Sequence, residues 1–321
     1  MKDVHIVFMG TPEIAVESLR QLVSEKYTVD AVVTVPDKPA GRGLKMHESS
    51  VKQFAAANHI PILQPENLSA PDFIKAIKQI NPHLIIVVAF KKLPDALLDI
   101  PKIGAFNLHA SLLPQYRGAA PINWVIINGE TQTGLTTFLL NNRIDEGKIL
   151  LQKTIDIMPS FNASNLYDIM KGEGAVLVSR TIKMLLHTKY ITIDQQSLSN
   201  NQPLLQKAPK LTKEYCRINW NDDIVKIHNK IRGLSYIPGA FTTIKSPAGE
   251  LFQLKIFRSD YTNATQPTKA WAIETDNNNY LRIYSYNGYL DLKEVQLSGK
   301  KIMNIDTLLR GFKLNNLWIA S

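Results

Sequence analysis

The chain has 321 residues, 45% of them apolar and 20% charged, with a formal net charge of +9. That length predicts two domains, and the composition is that of a globular protein, which excludes a disordered or fibrous one. Cys216 is the single cysteine and excludes an internal disulfide; the seven histidines lack zinc-site spacing, so no metal is expected.

No run reaches the roughly 18 apolar residues of a membrane span, and Met1 to Gly10 lacks the basic head and long apolar stretch of a signal peptide. The expectation is a cytoplasmic protein. Val4 to Met9 reads as a strand ending at Gly10, and Pro12 opens a helix carrying Ile14, Leu19 and Leu22. Gly10-Thr11-Pro12 lacks the further glycines of a dinucleotide fingerprint, which disfavours a nicotinamide cofactor. Val29 to Val35 is a β-branched strand, Asp37 to His47 a loop with basic residues and two glycines, and Ser50 to Asn58 a helix.

Leu84 to Ala89 is almost purely apolar, as in a parallel strand covered on both faces. Ala105 to Leu108, Gly134 to Leu140 and Lys148 to Ile157 read as further strands. Ser164 to Leu186 reads as a long helix with Ser164 as N-cap. The alternation predicts an α/β domain with a doubly wound, mostly parallel sheet over residues 1–189, whose site lies past the strand ends. Residues 190–207 read as a polar linker.

Residues 208–321 read as one helix, Asp222 to Arg232, and short strands: Phe241 to Ile244, Leu251 to Phe257, Trp271 to Thr275, Tyr280 to Tyr286 and Leu290 to Leu297. Ser246 to Gly249 and Asn287-Gly288 supply the turns. A small β-barrel of oligonucleotide-binding type fits. From residue 207 onward there are about 17 Lys or Arg against about 10 Asp or Glu, so this third is the candidate for touching a polyanion. Cys216 reads as a packed thiol.

The densest reactive cluster runs from Asn107 to Pro121. Asn107 and His109 are two apart, so in a strand they project to one side. An amide N–H stabilises an oxyanion, and an imidazole moves protons at neutral pH, a pairing that suits acyl transfer to an amine. Asp145, in the turn Arg143 to Gly147, is the candidate group to orient His109 and tune its proton affinity. Each also has an ordinary explanation, since polar residues near strand ends serve turns and caps. Ser111, Leu112, Leu113 and Pro114 read either as the wall of an apolar pocket or as loop packing.

Phe8 to Pro12, Pro36 to Gly43, Asn107-Leu108-His109, Ser111 to Pro114, Arg117 to Pro121, Ile144-Asp145-x-Gly147, Lys207 to Lys210, Ile218-Asn219-Trp220 and Gly299 to Lys301 together resemble the methionyl-tRNA formyltransferase family, in order and over nearly the whole chain. The resemblance implies a Rossmann-like formyltransferase domain and a tRNA-binding C-terminal barrel. It implies 10-formyltetrahydrofolate as formyl donor and methionyl initiator tRNA as acceptor; a monomer is expected. By the same resemblance Asn107, His109 and Asp145 are catalytic, and Ser111 to Pro114 with Phe90 line the folate site. The loop bearing Lys38, Arg42 and Lys45 would reach the acceptor end of the tRNA.

The chain departs from the family pattern at Asn141-Asn142-Arg143, at Glu146 and Lys148, and at Lys91 after Phe90. Two other readings stay open from the residues alone. One is formyl transfer to a small amine, which the basic C-terminal third disfavours. The other is a nucleic-acid-binding protein without catalysis, against which the Asn107, His109 and Asp145 set speaks.

Overall fold

The computed structural model describes residues 2–40, 45–187, 190–199, 204–264, 271–315 and 317–320. Two compact units emerge: Met1–Gly118 with Gln132–Asp156 and Tyr167–Lys207, and Ala119–Thr131 with Ile157–Leu166 and Ala208–Ser321. The second unit thus takes two segments, Ala119–Thr131 and Ile157–Leu166, from within the span of the first.

The first unit begins with β1 (Lys2–Gly10), α1 (Glu13–Ser24), β2 (Tyr27–Val33), β3 (Lys38–Ala40), β4 (Lys45–His47), α2 (Ser50–Ala57) and β5 (Ile62–Leu63). It continues through α3 (Pro71–Ile80), β6 (Leu84–Val88), α4 (Asp95–Leu98), β7 (Gly104–His109) and β8 (Arg117–Gly118). After α5 (Pro121–Ile127), which belongs to the second unit, come β9 (Gln132–Leu139), β10 (Ile149–Asp156), most of α6 (Ala163–Leu185) and α7 (Gln195–Ser199).

The main sheet runs in the order β10-β9-β7-β6-β1-β2-β5. Strands β7, β6, β1, β2 and β5 are parallel, while β9 and β10 pair antiparallel, giving the mostly parallel sheet expected. The chain winds outward from β1 to β5 and then returns to β6, so the direction of winding switches between β1 and β6. Ligands bind in such crevices, outside the carboxyl ends of the strands.

All five residues of β6 are buried, because helices cover both faces. Ile85 and Val87 pack with Phe73, Ile77 and Leu97 of α3 and α4, each contributing about 1.5–3 kcal/mol by burial. On the other face α1 and α6 meet: Ser179 Oγ donates to Glu25 at 2.6 Å, and Ile14 N donates to the Tyr167 hydroxyl at 2.9 Å.

The boundary between the units falls within β11 (Lys207–Ala208); in the second unit α8 (Ile224–Leu234) precedes β12 (Ala240–Lys245), β13 (Leu251–Asn263), β14 (Ile273–Thr275), β15 (Leu281–Ser285) and β16 (Gly288–Leu297). Then come β17 (Met303–Asn304), α9 (Ile305–Gly311) and β18 (Ile319–Ala320). The order β14-β15-β16-β13-β12-β18 is antiparallel, and a bridge from Ala272 to Ile319 brings its two ends together into the expected barrel. Leu254, Ile283, Leu292, Ile227 and Trp220 fill it, and the Trp220 indole donates to Thr242 at 2.9 Å. Cys216 is buried, as read from the sequence, and burial raises its thiol pKa.

Two sequence expectations need correction. The segment 37–47 is not wholly loop: Lys38–Ala40 and Lys45–His47 pair antiparallel. The strands are too short and too exposed, at Lys38, Pro39 and Met46, to carry an apolar alternation. Ser164 is not the N-cap of α6. Asn162 and Asn165 exchange reciprocal side-chain bonds at 3.0 Å each, and Ser164 Oγ donates to Ser235 O at 3.2 Å. Among the described residues no helix is long and apolar enough to cross a membrane.

Candidate active site

Asn107 and His109 occupy the carboxyl end of β7, where Asn107 pairs with Val87 and Leu108 with Val88. Alternation turns Leu108 to the opposite face, where it packs close to Gly174 of α6. Asn107 is half-buried and His109 only 6% exposed. The two side chains therefore share one side of the strand at the crevice.

His109 Nε2 lies 2.9 Å from the backbone oxygen of Tyr116. A carbonyl oxygen accepts only, so Nε2 carries the proton and Nδ1 is the nitrogen open to exchange. Asp145 Oδ2 stands 3.9 Å from Nδ1, beyond a direct hydrogen bond but close enough for charge to act. The same oxygen accepts from Gly118 N at 3.0 Å.

Asp145 adopts a positive φ of 55° in an otherwise exposed segment, Asn141 to Glu146. Gly147 follows because nothing larger fits: a Cβ there would stand 1.6 Å from the carbonyl oxygen of Leu139. This is the physical content of the Asp-x-Gly spacing.

The loop after β7 is pinned from β9 and β10. Thr136, opposite His109, donates to Ser111 O at 2.7 Å and accepts from Leu113 N at 3.1 Å. Gln152 donates to Leu113 O and to Thr136, both at 2.9 Å. Ser111, Leu113 and Pro114 are buried, and Leu113 packs with Phe138 and Ile149. Leu112 and Phe90 are half-buried. Thr136 and Gln152 were not singled out in the sequence, since a Thr and a Gln within strands carry no motif.

Residues 3–182 match the formyl transferase family and residues 210–313 its C-terminal domain. A methionyl-tRNA formyltransferase of Bacteroides thetaiotaomicron is 44% identical over 315 residues, covering 98% of each chain. One from Parabacteroides distasonis is 44% identical over 313 residues, covering 97% of each. The chain belongs to the methionyl-tRNA formyltransferase family. Its fold is shared with an N-formyltransferase from Helicobacter canadensis, solved in complex with folinic acid and dTDP-3-aminofucose, at a TM-score of 0.58 and 22% identity, over 90% of this chain and 98% of that one.

Two of the residues read from the sequence as departures, Arg143 and Glu146, pair with one another in this formyltransferase. Glu146 lies 3.5 Å from Arg143 and 3.4 Å from Arg117. Lys91 and Lys92 are exposed just after Phe90. Of the residues expected to meet tRNA, Lys38 is exposed on β3, Lys45 begins β4, and Arg42 lies outside the described residues. The base of that hairpin is held by Asp37, which is ion-paired with Lys52 and accepts from Gln64 at 2.8 Å. The Lys52 bond keeps the Asp37 carboxyl below its ordinary range.

Sequence reading also missed Gln195, because it placed residues 190–207 in a linker. Gln195 is buried. Its amide nitrogen donates to Asp145 O at 2.9 Å and Gly147 O at 2.8 Å, and its oxygen accepts from Arg117 Nε at 3.1 Å and Nη2 at 2.7 Å.

Proposed function

We propose that this protein transfers the formyl group of 10-formyltetrahydrofolate to the α-amino group of methionyl initiator tRNA, supporting translation initiation in the cytoplasm, and that it works as a monomer. The observation that carries the reading is the grouping of Asn107, His109 and Asp145 at one crevice, in a chain 44% identical to proteins of that name.

The amine nitrogen forms a bond to the formyl carbon as the bond from that carbon to the folate nitrogen breaks. Negative charge collects meanwhile on the formyl oxygen, and the Asn107 amide N–H stabilises it. His109 takes the proton from the attacking nitrogen at Nδ1 and returns it to the leaving nitrogen. Asp145 stabilises the positive charge that develops on the ring. Half-buried Leu112 and Phe90 supply apolar surface for the donor beside Ser111, Leu113 and Pro114, which shape the loop from within.

Lys38 and Lys45 of the hairpin strands, together with Arg42, contact the acceptor end of the tRNA, and the basic barrel unit binds its backbone. The test is formylation of charged initiator tRNA by the purified protein with 10-formyltetrahydrofolate, beside a small-amine acceptor. Product on tRNA alone is expected. Donor consumption only with the small amine would overturn the acceptor, and no consumption with either would favour a binding protein without catalysis.

A further inference from the structure

We infer that Gln195 is a positioning residue for the reaction, acting through the backbone of Asp145; the inference rests on the catalytic role proposed for Asp145. Four observations meet at this side chain. The segment 141–146 is exposed except at Asp145, so contacts on its inner side must fix its geometry. Gln195 supplies two of them, spanning Asp145 O and Gly147 O with one amide nitrogen, and so braces both ends of the Asp-x-Gly turn. Its oxygen is in turn held by two nitrogens of Arg117, which adjoins Gly118, whose N–H donates to the Asp145 carboxylate.

The fourth observation is the seating of Gln195 itself. Ile193 exchanges two backbone bonds with Ile149, at 2.8 and 3.0 Å, on edge strand β10. Asp194 then accepts from Gln196 N and Ser197 N, so α7 starts at a fixed point. A buried amide with donors and acceptor so engaged is a rigid brace, and loosening it costs more than one hydrogen bond.

Rate is sensitive to such a brace because the 3.9 Å gap between Asp145 and His109 sets how strongly the carboxylate acts on the ring. A displacement of about 1 Å at a reacting group lowers rate by up to about 100-fold. Gln195→Met removes donors and acceptor at near-constant size. Gln195→Glu keeps the acceptor for Arg117 and loses the donation to both carbonyls, so it separates the turn from the arginine.

The experiment measures kcat and KM for formylation of methionyl initiator tRNA with both variants, alone and in an Asp145→Ala background read by single turnover. Both variants are expected to lower kcat about 10- to 100-fold with KM for tRNA and donor within about twofold. In the Asp145→Ala background neither is expected to lower the rate further, because the path through Asp145 is already gone. Wild-type kcat in both variants, or losses that multiply fully with Asp145→Ala, would overturn the inference. An unmodified protein that forms no product would instead overturn the parent reading. Should Gln195→Met not fold, the isosteric Gln195→Glu decides.

Discussion

His109 Nε2 faces the carbonyl oxygen of Tyr116 at 2.9 Å, and Asp145 faces the opposite ring nitrogen at 3.9 Å. The imidazole is thus fixed at one nitrogen and exposed to charge at the other. His109→Gln places an amide N–H where Nε2 stands, so the bond to Tyr116 is retained while the exchangeable nitrogen is lost. We expect a folded protein with turnover reduced about 10²- to 10⁴-fold. Asn107→Ala should cost about 10²- to 10³-fold. Affinity for tRNA, measured by filter binding, should stay near wild type in both, and near-full turnover in the His109 variant would remove it from the mechanism.

Arg42 gives a separate expectation, read in salt. Arg42→Ala should weaken use of initiator tRNA and reduce the slope of log affinity against log salt by about 1. An unchanged slope together with unchanged turnover would take this residue out of acceptor recognition.

His228 lies on α8 beside Tyr261, with ring centroids 5.0 Å apart, and its Nδ1 is 3.3 Å from Ser259 Oγ. Burial, then the positive charge of Arg232, push its pKa down to about 4, against a weaker opposing pull from Asp260. The unfolded chain therefore takes up a proton below about pH 6.5 that the folded chain refuses until about pH 4. Stability should fall as pH drops through that window, by on the order of 2–3 kcal/mol from this group. His228→Gln should flatten the loss, as read by urea unfolding at pH 7 and pH 4.5; equal losses in the two proteins would contradict the assignment.

Asn287 serves a helix as well as a hairpin. Its Oδ1 accepts from Ile224 N at 3.0 Å, and its amide donates to the N-cap Asp223 at 2.6 Å. Asn287→Ala should cost about 1–2 kcal/mol in thermal or denaturant unfolding. Asn287→Asp should fail to restore it, because a second carboxylate would then meet Asp223.

Much of this architecture was legible in the chain. The all-apolar run at Leu84 announced a covered parallel strand, and Asn107-x-His109 announced two side chains on one face, because both depend on local periodicity alone. Asn287-Gly288 was legible as a turn for the same reason, with Ser285 and Gly288 paired across it. What stayed hidden depends on partners distant in sequence. Gln195 sits in a polar stretch with no pattern, and its value comes from carbonyls 48 and 50 residues away. Thr136 is likewise an ordinary strand residue until Ser111 and Leu113 are seen against it. The cap of α6 was misplaced at Ser164 because the reciprocal Asn162 and Asn165 bonds offer no Ser-x-x-Glu signature.

The bridge between Ala272 and Ile319 has a consequence for self-association. Ile319 and Ala320 pair with Lys245 and Ile244 on one side, beyond the bridge from Arg217 to Phe241, while Ile319 reaches Ala272 on the other, so two residues join the far end of β12 to the segment before β14. Unpaired margins present rows of N–H and C=O groups to any other chain. Deleting residues 319–321 would leave Ile244 and Lys245 of β12 and the segment before β14 open at once. The shortened protein should form oligomers whose fraction rises with concentration in light scattering, while the full chain stays in one state. Two residues with no part in the chemistry would then govern how concentrated the protein can become before it pairs with itself.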